Sequence, residues 1–397
     1  MTTPSFKGVA LRDDRFIRAI LDSFARLPDH RLDRAKRHRL VDIVAIAFVG
    51  VLVGCESFVE IADWAKRSEL FLRHFLELPN GIPSHDTFGR VLAKLDSAVF
   101  REQIIAWQQH AIALLTGRLA TANGDQVCID GKTARRSFDF KKSQKPLHLL
   151  SAWTVGSSML IGQMRTEEHS NEITALPDLI GALDIAGAMV TIDAMACQHD
   201  IARAITAKSA DYLLAVKGNQ PALLADVELF FKGNAEWPFT EYPCDEATTE
   251  NTGHGRYEKR RCVTCSGLEW LRPRHQWTGL KCIVMVESTR TVRGNTSVER
   301  RYYISSRSLT AAEAAQYIRN HWHIENRVHW ILDVVYREDD CRVRSGNAAE
   351  NLCLLRRAAL ALIRKDPDKK RSFRRKRKLA GWDPEYAIKL LTLGWEG

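Results

Sequence analysis

From Gln126 to Phe231 short apolar runs alternate with helical stretches, and this alternation limits the fold more than any other feature of the chain. Strands are expected at Val127–Asp130, His148–Val155 and Met159–Met164. A helix fits Asn171–Leu183, with Asn171 near its start, followed by a strand at Ala188–Asp193 and a helix at Gln198–Ala207. Tyr212–Val216 reads as a further strand and Pro221–Phe231 as a helix. A hairpin-like opening followed by βα units gives a mixed sheet with helices packed against it.

Two acids sit where such a sheet presents side chains. Asp130 ends the run Val127-Cys128-Ile129, and Asp193 ends Ala188-Met189-Val190-Thr191-Ile192. If the first and fourth strands are neighbours, the two carboxylates lie side by side, as in ribonuclease-H-like folds. A third acid, Glu325, lies in the helical pattern His321-Trp322-His323-Ile324-Glu325-Asn326. Either aspartate alone reads equally well as a turn residue. Together the three suit a pair of divalent cations, Mg²⁺ or Mn²⁺, that activates one oxygen and stabilises another during displacement at phosphorus.

Composition narrows the partner. The 397 residues are 45% hydrophobic and 27% charged, which fits a soluble chain with a sizeable core. Net charge is +10, and Lys365 to Lys378 alone holds nine Lys/Arg against two Asp. Such a balance favours a polyanion. Nine cysteines without framework spacing, and no apolar core in Met1 to Arg12, point to a reducing, cytoplasmic compartment. The most apolar stretch, Leu40 to Cys55, is bracketed by Asp42 and Glu56, and the 13 residues between them are too few to span a bilayer.

Five segments are expected. Residues 1–120 form an all-α N-terminal domain, and 121–231 the first part of the core. Residues 232–306 form a β-rich insertion, with runs at Arg261–Thr264, Lys281–Glu287 and Arg300–Ile304. Residues 307–365 carry the catalytic helix and the end of the core, and 366–397 a basic tail. In the first segment, Pro79-Asn80-Gly81 is a turn and Ser84 an N-cap for a helix bearing Phe88, Val91, Leu92 and Leu95. That is either a helix-turn-helix reader of DNA or, more simply, a small bundle that only packs. Later, Thr310 with Glu313 fits a capping box, helical periodicity runs on towards Tyr336, and a last helix covers Asn347–Ile363.

Helical spacing puts His321, Glu325 and His329 on one face, too costly for a dry core, so that face should line a cleft. Carboxylates suit magnesium or manganese better than zinc. Asp333 is the first substitute for Glu325, while Glu338, Asp339 and Asp340 read as a solvated helix end that can pair with Arg342 and Arg344. Cys262 and Cys265 have a zinc-like spacing but lack a matching pair, with Cys244, His254 and Cys282 in range. Gly131-Lys132-Thr133 fails as a P-loop because the required glycine falls at Gln126. Lys132 and Lys217 read as phosphate contacts on the catalytic rim or as ordinary polar residues. Arg374, Arg375, Lys376, Arg377 and Lys378 read as sequence-neutral DNA contacts, or as a solvated tail.

At these residues the chain resembles the H-repeat-associated, ISAs-type DDE insertion-sequence transposases. The likeness runs through Leu78 to Phe88, Ile129 to Thr133, Ser170-Asn171-Glu172-Ile173-Thr174-Ala175, Thr191 to Met195, and Leu214 to Gln220. It continues through Arg301 to Ser306, His321 to Asn326, His329 to Val334, and Gly346-Asn347-Ala348-Ala349-Glu350-Asn351-Leu352. The resemblance implies a ribonuclease-H-like core with a β-rich insertion, Asp130, Asp193 and Glu325 as the DDE set, and Mg²⁺ (or Mn²⁺), two ions in number. It also implies DNA-end binding by residues 1–120, binding to terminal inverted repeats and target DNA as a homodimer or larger assembly, and association with the bacterial nucleoid. The chain departs from related transposases at Ile318 and His321, where Tyr and Arg often stand, so that Arg319, His323 or Arg327 would have to supply those phosphate contacts. It departs again at Ala134-Arg135-Arg136, where Leu-Arg-Gly is usual. Two other readings stay open: a retired transposase that only binds DNA, and a general nuclease.

Overall fold

The computed structural model describes residues 14–116, 122–138, 145–166, 172–233, 242–253, 255–271 and 276–392. Asn171, His254 and Trp395 lie outside them.

The chain opens with six helices: α1 (Arg15–Ala25), α2 (Leu40–Leu52), α3 (Phe58–Arg67), α4 (Glu69–Leu72), α5 (His85–Lys94) and α6 (Ser97–Thr116). The apolar stripe of α1 places Phe16, Ile17, Ile20 and Phe24 inside, and Asp14 caps its first amides. α2 is apolar all round and is buried from Asp42 to Leu52, as a helix at the centre of a bundle must be. Ser84 caps α5, whose Phe88, Val91 and Leu92 face inward.

The sheet follows. β1 (Gln126–Ala134), β2 (Leu147–Thr154) and β3 (Leu160–Arg165) form an antiparallel meander. Next come α7 (Glu172–Ala182), β4 (Met189–Ile192), α8 (His199–Ala207), β5 (Asp211–Val216) and α9 (Pro221–Gly233). β4 and β5 continue parallel to β1. Four long strands then meander back: β6 (Cys244–Gly253), β7 (Arg256–Cys265), β8 (Cys282–Val292) and β9 (Asn295–Ser305). β9 pairs antiparallel with β5, so all nine strands form one sheet ordered β3-β2-β1-β4-β5-β9-β8-β7-β6. The runs at 261–264, 281–287 and 300–304 are therefore the sheet-proximal parts of longer hairpins. The polar strand β6 was not among the sequence expectations.

α10 (Ala311–Ile324) crosses one face of this sheet and starts at the expected capping box of Thr310 and Glu313. α7, α8 and α9 cover the other face, where Leu176, Ile201 and Phe230 meet Val190, Leu214 and Ile304. After a π-helical turn, Glu325–His329, come α11 (Trp330–Val334), α12 (Ala348–Lys365), α13 (Phe373–Trp382) and α14 (Pro384–Leu391).

α12 is buried along nearly its whole length and joins the N-terminal and C-terminal helices into one core, in which Phe48, Leu92, Leu355, Leu360 and Leu390 all take part. The 346–352 motif explains the docking. Gly346 has φ +50°, and a Cβ there would stand 2.4 Å from the Ala93 carbonyl oxygen. Asn351 Nδ2 donates to Leu92 O (2.8 Å) and Leu95 O (2.9 Å), and Asn347 Nδ2 to Leu95 O (3.1 Å). These bonds satisfy the carbonyls that the end of α5 leaves unpaired. With α12 against it and α2 and α3 behind, α5 packs as part of a bundle.

The basic run is not a tail. Arg374, Arg375 and Lys378 are exposed on α13, but Lys376 and Arg377 are buried. Lys376 Nζ pairs with Asp366 (3.2 Å). The Arg377 guanidinium lies 4.0 Å from the Tyr336 ring centroid and donates to Val51 O (2.9 Å) and Val335 O. Helical periodicity turns every fourth residue inward even within a cationic block, and buried carbonyls and a carboxylate meet these two. They are therefore withdrawn from the DNA contacts expected of the run.

Candidate active site

Strand pairing builds the site. In the parallel ladder of β1 and β4, Ile129 stands opposite Ile192. Asp130 and Asp193 are the next residues on the two strands, so their backbones leave the pair side by side. Asp130 sits in the middle of β1 rather than at its end, since the strand runs on to Ala134. Asp193 is the first residue beyond β4, at the start of a single 3₁₀ turn, Ala194–Ala196. The loop after β5 holds that turn: Asn219 Nδ2 donates to Ala194 O (2.9 Å) and Gln220 Nε2 to Cys197 O (3.0 Å). Lys217 in the same loop is exposed, with Nζ 3.7 Å from Asp193 Oδ1.

α10 brings the helical residues across the strand ends. Gln126 Nε2 donates to Thr191 Oγ1 (3.0 Å) and Tyr317 O (2.8 Å), and His321 Nδ1 lies 3.2 Å from the same Thr191 hydroxyl. One turn later the helix widens. Trp330 N–H donates to Glu325 O, an i→i+5 bond that defines the π turn. Such turns recur at functional sites because they re-aim the side chains that follow. Here His329 Nδ1 comes within 3.4 Å of Asp130 Oδ2, while Glu325 is exposed. The expected shared face of His321, Glu325 and His329 is therefore only partly open. Burial drives the two imidazoles neutral, pulling His321 down to about 4 and His329 to about 3. Neutrality removes the cost of burying them.

Negative charge accumulates around Asp130. Burial first, then the charges of Glu172, Glu325 and Asp193, push its carboxyl up to about 7, against the pull of the Gly131 amide that donates to it (2.8 Å). No cation among its contacts neutralises this group. The donors are hard oxygens with surplus negative charge, which fits a divalent metal of the magnesium class. Among the described residues, no three His, Cys, Asp or Glu side chains already converge closely enough to hold an ion.

Glu172 is a neighbour to which sequence reasoning gave no role. Its Oε1 lies 2.7 Å from His148 Nε2, whose Nδ1 is 2.7 Å from Thr133 Oγ1. A Cβ on Gly131 would stand 2.2 Å from Glu172 Oε1 and 2.7 Å from His148 Nε2. A glycine inside a strand signals such close approach.

Other expectations are corrected. Lys132 is 7% exposed, with Nζ 2.6 Å from Asp333 Oδ1 and 3.3 Å from Asp339 Oδ1. It is an internal clamp rather than a free phosphate contact, and the same bond occupies Asp333, the substitute for Glu325. Asp339 also meets Arg135 (3.2 Å) and Asp340 meets Arg136 (3.6 Å), which gives 134–136 its role. Glu338 is buried against Arg357 (3.0 Å). Arg342 and Arg344 take no part in these pairs. Cys262 and Cys265 face opposite sides of β7 and join different apolar clusters, so they do not form a joint ligand pair. Of the residues expected to replace the missing Tyr and Arg, Arg319 donates to Thr249 Oγ1 (3.2 Å) and Arg327 is exposed. His323 Nδ1 is buried without a partner.

Comparison with known proteins shows the family. Residues 122–362 match the family described as Transposase DDE domain, and residues 21–108 match its DDE_Tnp_1-associated region. The chain belongs to the DDE transposase family. It is 37% identical over 384 residues to the "H repeat-associated putative transposase YhhI" of Escherichia coli K12, covering 95% of this chain and 98% of that one. It is 38% identical over 380 residues to the "Putative transposase YncI" of Escherichia coli O157:H7, covering 95% of each. A shorter relative, the "Inactive transposase YbfQ" of Escherichia coli K12, is 30% identical over 78 residues, 20% of this chain and 93% of that one. The chain is thereby related to proteins that act on DNA. No helix among its described residues is long and apolar enough to cross a membrane.

Proposed function

We propose that this chain is an insertion-sequence transposase that cuts DNA at the ends of its element and joins the freed 3′-hydroxyl to target DNA, with Asp130, Asp193 and Glu325 as its catalytic set. The observation that carries the reading is the register of Ile129 with Ile192, which makes the two aspartates neighbours on parallel strands. The strand order β3-β2-β1-β4-β5 supports a ribonuclease-H-like core. The field of Glu325 at Asp130 supports the third acid. The alternatives are a DNA-binding descendant without activity and a general nuclease. The first has a named precedent in the inactive relative. Retention of all three acids, with no cation among the contacts of Asp130, favours the active reading, because binding alone does not require negative charge facing phosphates.

When bound, Mg²⁺ or Mn²⁺ ions would polarise the scissile phosphate and lower the pKa of the attacking hydroxyl. Asp130, Asp193 and Glu325 would hold them. Neutral His329 and His321 brace β1 and β4 without adding positive charge that would compete with the cations. The Asn219 and Gln220 bonds fix the turn that aims Asp193. Cleavage and joining are both in-line transfers at phosphorus, so one set of acids serves both. Two DNA ends must be held, so the assembly is a homodimer or larger. Exposed Arg374, Arg375, Lys378 and Lys217 remain candidate phosphate contacts.

The test is a labelled duplex carrying the element's terminal repeat, incubated with Mg²⁺ or Mn²⁺ beside a Glu325→Ala control. Nicking at the repeat boundary that vanishes in the control supports the reading. Binding without cleavage moves it to the inactive descendant, and cleavage that ignores the repeat moves it to a nuclease.

A further inference from the structure

The four-stranded meander β6–β9 has two faces of different electrostatic character. On the back, basic residues are matched across strands: Arg261 with Glu246 (2.8 Å), Arg300 with Glu287 (2.6 Å) and Lys259 with Glu250 (3.6 Å). On the front, strand alternation aligns Arg256 and Arg260 of β7, Arg290 of β8 and Arg301 of β9, and α10 adds Arg319. The strand carboxylates on this face are already engaged, Glu258 by Arg260 (2.7 Å), Glu299 by Arg301 (2.8 Å) and Asp245 by the Ala311 amide of α10 (2.8 Å). Glu258 is also the register partner of Arg290, so Arg290 is left without a carboxylate of its own. Arg256 and Arg290 are exposed, and neither has an ion pair among the described residues. Among the described residues Arg319 donates to a threonine hydroxyl and has no ion pair.

Together these side chains line a trough of about 630 Å³ between the meander and α10, and Glu325 and Asn326 stand in its wall. Arginines lining a concavity without matching carboxylates attract a polyanion. Guanidinium groups bind phosphate through paired N–H donors. A catalytic carboxylate in the same wall selects which polyanion, because whatever occupies the trough is continuous with what reaches Glu325.

We infer that this trough holds the sugar-phosphate backbone of the DNA strand adjoining the scissile phosphate, with Arg256, Arg290 and Arg319 as its principal contacts. The inference rests on the transposase reading. It assigns the β-rich segment a share in substrate binding.

The test compares Arg256→Gln/Arg290→Gln with a back-face control, Lys259→Gln/Arg300→Gln. Affinity for a terminal-repeat duplex is measured against KCl concentration, and melting temperature checks the fold of each variant. The trough variant should lose affinity, and its log–log salt slope should shrink by roughly two, since each lost contact to duplex phosphate is worth about 0.9. The control should keep the wild-type slope. In parallel, a photo-crosslinker at position 290 should label nucleotides next to the cleavage position. Cleavage and binding by the trough variant indistinguishable from wild type, equal losses in the control, or crosslinks only to distant nucleotides would overturn the trough assignment while leaving the transposase reading intact. No DNA binding by the unsubstituted protein would overturn both.

Discussion

Lys132 Nζ lies 2.6 Å from Asp333 Oδ1, and this bond fastens the segment behind the π turn to the strand that carries Asp130. Lys132→Met should cost roughly 2 kcal/mol, below the 3–5 kcal/mol of a fully buried pair because both aspartates are partly exposed. Urea denaturation measures it. If Lys132 were instead a phosphate contact, stability would hold and the salt dependence of DNA binding would fall.

The basic run should divide by burial. Arg377→Ala removes the packing on Tyr336 and leaves two buried carbonyls without their donor, so a loss of about 3 kcal/mol is expected. Replacing Arg374, Arg375 and Lys378 with alanine should change stability by no more than about 0.5 kcal/mol each, as exposed substitutions usually do. Thermal melts of the two variants decide it, and equal losses would contradict the buried placement.

Asp130 should make the metal-free protein less stable as pH rises. Its carboxyl titrates at about 7 in the folded chain and near 3.9 when unfolded. Between those values the folded state holds a proton that the unfolded state has released, so stability declines through the window and stays low above it. Asp130→Asn removes the effect. In EDTA the variant should match the wild-type unfolding free energy at pH 3.5 and exceed it at pH 8 by an amount on the order of a few kcal/mol, read from urea denaturation. A wild-type advantage at pH 8 would count against a buried, uncompensated carboxyl.

Gly131→Ala tests the neighbour that motif reading passed over. The new Cβ would meet the Glu172 carboxylate and the His148 ring. Cleavage should drop roughly tenfold or more, the scale on which small misplacements act, with DNA affinity kept. Cleavage within twofold of wild type would show that the Glu172–His148 pair does not support the site.

Much of this was legible because burial imposes period on sequence. The order of strands and helices from Gln126 to Phe231, the Thr310 capping box and the Ser84 cap all appear where expected, within a residue or two at most ends. Strand β6 was missed because it carries mostly Thr, Glu and Asn and no apolar alternation. The π turn leaves no compositional trace, since it is a change of hydrogen-bond step and not of residue type. Lys132, Lys376 and Arg377 were misread for one reason. Charge alone implies solvent, but their partners, Asp333, Asp366 and the carbonyl of Val51, lie away in sequence or on another element.

The pairing of β5 with β9 has a consequence for evolution and engineering. Leu213 to Val216 pair with β9 on one side of β5, and Asp211 to Leu214 pair with β4 on the other. Excising residues 232–306 would therefore not release a detachable module. It would strip an interior strand of half its ladder and leave a bare apolar edge beside Asp193, the kind of edge that recruits other chains. Shortened copies of the gene that lose this stretch should therefore yield aggregating protein rather than a compact nuclease.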